Sequence, residues 1–226
     1  DGPVAITVNN GRQTWQPRNY TGRFRGEVTL QEALSRSINA ATVNLALHVG
    51  LDRIIATAHR LGIESKLYPY YPTVLGASEV TLLELTAAYG SLATGRRLRP
   101  VGLDRIIDKG AASIWDPGRP APAVLSEATV AAMRRMLAAV VRDGTARRAL
   151  CLERAVYGKT GTSNANADAL FIGFDEDLVV GVWVGRDDRT PIGPKETGGR
   201  AALPIWVEFM RRTPSATLLA GPVPAN

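Results

Sequence analysis

Cysteine is almost missing from this chain: Cys151 stands alone among 226 residues, so no intrachain disulfide can form, and the compartment cannot be read from it. Histidine is nearly as scarce. His48 and His59 fall in helical patterns without partners at metal-ligand spacing, which favours structural roles over a metal site. Long apolar runs are missing too. The longest, such as residues 178–184, fall far short of the roughly 20 residues that cross a bilayer. The first residues lack the basic start, apolar stretch and small-residue cleavage site of a secretory signal, so the start is expected to be an internal cut. A formal net charge of +6 would suit nucleic acid, but the arginines are scattered and form no continuous basic run. No nucleic-acid partner is expected, whereas attraction to anionic wall or lipid surfaces is compatible with the charge. With 45% hydrophobic and 21% charged residues the composition is that of a folded, soluble protein, and the length favours one large domain.

The pattern along the chain begins loop-rich and extended. Residues 4–8 alternate, Asn9-Asn10-Gly11 signals a turn, and Trp15-Gln16-Pro17 follows. Thr29 with Glu32 forms a capping box that opens a helix. Its apolar positions Leu30, Leu34, Ile38, Ala41, Leu45 and Val49 recur at three- and four-residue spacing and stop at Gly50. A break near Ser37 is left open by this pattern. A second helix spans 51–61 and ends at Gly62, and a surface loop rich in proline and tyrosine follows over 67–72. Thr81 with Glu84 is another capping box, opening a helix committed to packing through Leu85, Ala88, Tyr89 and Leu92 and closing near Gly95.

A hairpin is expected over 105–115 and a linker over 117–122. Ser126 caps a helix that carries Val130, Met133, Leu137 and Val141 on one face and ends at Gly144. Then the character changes. Residues 155–157, 169–174 and 178–184 read as three strands joined by short connections, and a helix over 203–210 covers the sheet with Trp206 and Phe209. The fold class is α/β of the segregated α+β type, an antiparallel sheet flanked by helices. The expected division is one domain over 1–213 and a small, proline-rich tail over 214–226.

The candidate chemistry lies in two strings far apart, Ser37-Ile38-Asn39 and Gly158-Lys159-Thr160-Gly161-Thr162. In the second, a lysine beside hydroxyl residues on an edge strand can hold a carboxylate-bearing peptide: the cation attracts and the hydroxyls of Thr160 and Thr162 orient hydrogen bonds. Gly161 lets a ligand backbone approach closely, and an edge strand can accept a peptide as a further strand. Lys-Thr-Gly is also a common turn, and serine and asparagine in a helix commonly bond only nearby backbone.

Taken with Trp15-Gln16-Pro17-Arg18-Asn19-Tyr20, Leu75-Gly76-Ala77-Ser78-Glu79-Val80-Thr81, Gly144-Thr145-Ala146 and Thr197-Gly198-Gly199, the two strings resemble the transpeptidase domain of class A (bifunctional) penicillin-binding proteins. The likeness spans nearly the whole chain. It implies the fold of penicillin-binding proteins and β-lactamases, with the family's first strands missing. It also implies roles: Ser37 relays protons between nucleophile and leaving amine, and Asn39 bonds the motif lysine and the substrate. Lys159 raises the potential around Ser37 and attracts the substrate carboxylate. Thr160 and Thr162 help bind that carboxylate, Gly161 belongs to the same substrate-binding stretch, and the Thr162 amide forms half of an oxyanion hole.

One family element is absent. No serine in the chain is followed three residues later by lysine, so the family's nucleophile is not among these 226 residues. The resemblance places it upstream of Asp1. Leu170, where the family usually has an aromatic residue, is a smaller departure. The implied activity is that of a peptidoglycan D,D-transpeptidase acting on stem peptides ending in D-alanyl-D-alanine. β-Lactams would mimic that terminus, and no metal or organic cofactor is involved. The implied location is extracytoplasmic, with a membrane anchor elsewhere in the full-length protein. A carboxypeptidase or β-lactamase ranks lower, and a non-catalytic scaffold module that binds wall peptide is the alternative from a different class.

Overall fold

Two local signals in the sequence fix where helices begin, and both are realised in the computed structural model, which describes residues 1–8, 13–103, 106–107, 113–115, 121–163 and 166–213. Thr29 caps α1 (Leu30–Ser35) and Thr81 caps α4 (Leu82–Thr94); in each, the threonine hydroxyl accepts from the third backbone amide and the glutamate there accepts from the capping residue's amide. Between them lie α2 (Asn39–Val49) and α3 (Leu51–Leu61), the latter closed by Gly62 in the left-handed conformation. A 3-10 turn over Tyr71–Leu75 lies in the tyrosine-rich loop. Helix α5 (Glu127–Arg142) is capped by Ser126, as expected, and closes at Asp143 rather than Gly144.

The break at Ser37 is real. Ser37 has φ of 54°, a left-handed backbone that costs a residue with a Cβ about 1–2 kcal/mol. It turns the chain so that α1 and α2 are separate helices. Their buried side is only in part the one the spacing suggests: Ile38 is buried as expected and Leu34 packs against the core, but the rest differs. Leu30, Leu45 and Val49 are exposed, while Ala33, Ile38, Ala40, Val43 and Ala46 are buried. Small residues face the body because α2 packs closely, and the larger apolar ones are left outside.

The sheet is an antiparallel meander, in the order β5 (Tyr157–Thr162), β6 (Asp168–Phe174), β7 (Val179–Gly185). Residues 155 and 156 lie outside it, so the strand begins two residues later than the sequence suggests and contains the Lys-Thr-Gly motif itself. Phe171 meets Trp206 of α6 (Leu203–Arg212) edge-on at 5.0 Å between ring centroids. Phe174 stacks on Tyr157 at 5.1 Å and packs with Ala93 of α4 and Leu137 of α5. Residues three apart on a strand face opposite ways, so α6 covers one face of the sheet and α4 the other. Trp206 is fully buried and donates its indole N–H to Val180 O at 3.1 Å. Phe209 is half exposed, contrary to its expected place covering the sheet with Trp206, because the buried stripe of α6 runs through Leu203, Trp206, Val207 and Met210 and leaves Phe209 at its outer margin.

Two short hairpins complete the fold. β1 (Ile6–Val8) pairs with β2 (Gln13–Trp15), with Val4 and Ile6 buried against Val43. β3 (Ile106–Ile107) pairs antiparallel with β4 (Ser113–Trp115), as expected. The connection between β3 and β4, the 117–120 part of the linker and the 214–226 tail lie outside the described residues.

Candidate active site

Lys159 and Ser37 come from opposite ends of the described fold and meet. Lys159 is on β5, paired with Ile172 of β6, and its Nζ donates to Ser37 Oγ at 2.9 Å and to Thr160 O at 2.9 Å. Burial disfavours the ammonium and lowers its pKa from the ordinary 10.5 to about 8. At neutral pH the group is still protonated. The Ser37 oxygen therefore has one lone pair held by a cation, and its own proton is available to another acceptor. A hydroxyl in that state can take a proton on one side and release one on the other.

Asn39 opens α2 two residues further on, and its carboxamide Nδ2 donates to Arg18 O at 2.9 Å. Among the described residues that hydrogen bond goes to Arg18 and not to Lys159. The start of α2 has no side-chain cap of its own. Asn19 supplies one from a distance: its Oδ1 accepts from Ala40 N at 3.0 Å, and its Nδ2 donates to Asp1 and to Arg23 O. The segment Trp15–Tyr20 thus holds the helix that carries Asn39. Sequence reasoning gave Asn19 no role, and the two residues are 21 apart, beyond the reach of any local capping pattern.

Thr160 and Thr162 alternate with Lys159 and Gly161 along β5, so the hydroxyls share one face and the lysine leaves by the other. Thr160 Oγ1 lies 2.6 Å from Thr145 Oγ1. Thr162 Oγ1 accepts from Gly198 N at 3.1 Å. Gly198 begins a wide helical turn, Gly198–Ala202, that runs into α6. Its Cα lies so close to Gly161 and to Leu170 O that a Cβ there would collide with backbone, so only glycine lets this turn sit against the motif. The sequence pointed to Gly144-Thr145-Ala146 and Thr197-Gly198-Gly199 as matching stretches without assigning them a task. The structure puts both beside the motif threonines. His48 and His59 each bond a backbone carbonyl, Asn44 O and Ile63 O, and Cys151 is exposed.

A serine-x-asparagine turn held by a lysine from the edge strand of an antiparallel sheet, with paired hydroxyls on that strand, defines the class. Residues 5–210 match the family described as penicillin binding protein transpeptidase domain, and the chain belongs to that family. It is 41% identical over 200 residues to penicillin-binding protein 1A of Aquifex aeolicus, covering 88% of this chain and 27% of that protein. It is 35% identical over 234 residues to penicillin-binding protein 1A of Rickettsia bellii, covering 93% of this chain and 30% of that protein. The chain thus spans less than a third of the length of these two relatives. Its fold matches the crystal structure of penicillin-binding protein 1A from Haemophilus influenzae with a TM-score of 0.85 at 24% identity, covering 100% of this chain and 39% of that one. It matches the PonA1 protein from Mycobacterium tuberculosis in complex with penicillin V with a TM-score of 0.72 at 22% identity, covering 98% of this chain and 63% of that one.

Proposed function

We propose that residues 1–213 are the carboxyl-terminal part of a peptidoglycan D,D-transpeptidase domain, whose nucleophilic serine belongs to a segment preceding this one in a longer protein. The observation that carries the reading is the 2.9 Å contact between Lys159 Nζ and Ser37 Oγ, which joins the two family motifs into one site. In this reading the nucleophile attacks the carbonyl of a stem peptide ending in D-alanyl-D-alanine. Its proton passes through Ser37 to the departing amine, and terminal D-alanine leaves as an ester forms on the serine. An amine of a second stem peptide then attacks, breaking the ester and forming the cross-link. Lys159 keeps positive potential beside Ser37, Thr160 and Thr162 take the substrate carboxylate with Gly161 giving close access, and Asn39 faces the peptide.

β-Lactams enter the same cycle by mimicking the D-alanyl-D-alanine terminus, and the site is placed outside the cytoplasmic membrane, where the wall is built. The test begins with the coding sequence in frame before Asp1, where a serine-x-x-lysine is expected after strand-forming segments. The intact protein should then gain the mass of one benzylpenicillin, and Lys159→Ala should slow that gain. A start codon or an unrelated domain at that place would leave a peptide-binding scaffold instead. Acylation unchanged by Lys159→Ala would remove the role given to Lys159.

A further inference from the structure

We propose that Thr145 is a positioning residue of the substrate-binding strand: its hydroxyl donates to Thr160 Oγ1, which leaves the Thr160 proton directed at a carboxylate in the cleft. The inference rests on the transpeptidase reading above and adds to it a residue outside both motifs.

The argument starts from Thr162. A backbone amide can only donate, so the 3.1 Å contact from Gly198 N makes Thr162 Oγ1 an acceptor there and leaves its proton free. Thr160 lies two residues earlier on the same strand face and has Thr145 where Thr162 has Gly198. At 2.6 Å the two threonine oxygens share one proton between them, and that proton belongs to one or the other. With Thr145 as donor, both motif hydroxyls have a lone pair occupied by the protein and a proton to spare. Two protons on one face then meet an ionised carboxylate, which can only accept. With Thr160 as donor its proton would be spent inside the protein, and Thr162 would face the anion alone.

Thr145 is also held firmly enough for this task. Its amide donates to Ser35 O at 3.2 Å, and the next amide, of the fully buried Ala146, donates to Val140 O at 3.0 Å. Gly144 before it is pressed so closely against the Ser35 carbonyl that no Cβ would fit. Its backbone is thus tied to α1 two residues before Ser37 while its hydroxyl reaches β5. The contact links the serine-x-asparagine turn to the carboxylate-binding face by a route separate from Lys159.

The test uses the full-length protein that carries this chain, with Thr145→Val, Thr145→Ala and Thr145→Ser, and compares acylation by benzylpenicillin with acylation by its methyl ester. A hydrogen bond to a charged group is worth about a tenfold change in rate or more. The expected result is a drop on the order of tenfold for the acid in the valine and alanine variants, an unchanged rate for the ester, and recovery in the serine variant. No change for the acid, or equal losses for acid and ester, would overturn the assignment, the second because it marks a merely structural residue. If the unsubstituted protein is not acylated by benzylpenicillin, the transpeptidase reading fails and this inference falls with it. Acylation of the unsubstituted protein with an unaffected valine variant removes Thr145 alone.

Discussion

Lys159 Nζ stands 2.9 Å from Ser37 Oγ across 122 residues of sequence. The partner serine is in a left-handed turn that a residue with a Cβ adopts only at a cost, and the lysine is buried enough to lose part of its affinity for protons. Both departures from ordinary behaviour fall at one contact. Such local costs persist only where the surrounding structure holds them in place.

The lysine gives a prediction that needs only this chain. Its pKa is about 8 in the fold and about 10.5 when unfolded. Below about 8 both states hold the proton, and the cost of burying the charge is fully present. Between about 8 and 10.5 the unfolded chain holds more protons, so the stability of the fold rises with pH through that window. Denaturant titrations at several pH values should show this rise in the parent chain and not in Lys159→Met. Parallel curves for the two proteins would contradict it.

Glu84 gives the opposite dependence. Its carboxylate accepts from Ser65 Oγ at 2.6 Å, from the amides of Ser65 and Glu64, and from Thr81, tying the start of α4 to the end of the α3 connection. The Ser65 hydroxyl, ahead of the Thr81 and Glu64 amides, brings its pKa down to about 2. A depressed carboxylate contributes stability above its unfolded value of 4.5, and that contribution is lost as pH falls toward about 2. Glu84→Gln should cost on the order of 2 kcal/mol at neutral pH. The gap between variant and parent should close in acid, which thermal melts across pH 2 to 7 would reveal.

Trp206 should matter more than any other single side chain of the sheet-covering helix. It is fully buried, meets Phe171 edge-on, and gives its indole N–H to Val180 O. Trp206→Ala leaves a cavity and an unpaired carbonyl, and the expected loss is about 3–5 kcal/mol in urea unfolding. Phe209→Ala, on the outward side of the same helix, should cost far less, and comparable losses would mean that α6 packs differently.

Among the described residues β7 pairs with β6 on one side only, and Trp183 on it is 42% exposed. An open strand edge invites pairing with another copy. The isolated chain is expected to gain mass with concentration in light scattering, as two copies join through β7. A constant monomer mass at high concentration would count against that pairing.

Much of this was legible because it is local. The capping boxes at Thr29 and Thr81, the stops at Gly62 and Gly95, and the turn residues that bound the apolar runs of β6 and β7 are decided within a few residues. The motif residues Ser37, Asn39, Lys159, Thr160, Gly161 and Thr162 are legible too, because each falls within a short contiguous string. What stayed hidden depends on distance. The spacing of Leu34, Ile38 and Leu45 runs unbroken through Ser37, so nothing local announces the turn there. Which side of α2 is buried depends on the elements around it, and those favoured Ala40 and Ala46 over Leu45. Thr145 reaches Thr160 across 15 residues, and Asn19 reaches Ala40 across 21, with no periodicity to link them.

The cap that Asn19 places on Ala40 makes the beginning of α2 a property of chain closure rather than of helix propensity. Ile38, at the capping position, offers no side-chain acceptor, so the first turn of α2 is complete only when the Trp15–Tyr20 segment has docked. Hydrogen exchange at the Ala40 amide should therefore report undocking of that segment and not fraying of the helix. Asn39, the residue before Ala40, is then ordered together with a segment some twenty positions earlier in the chain.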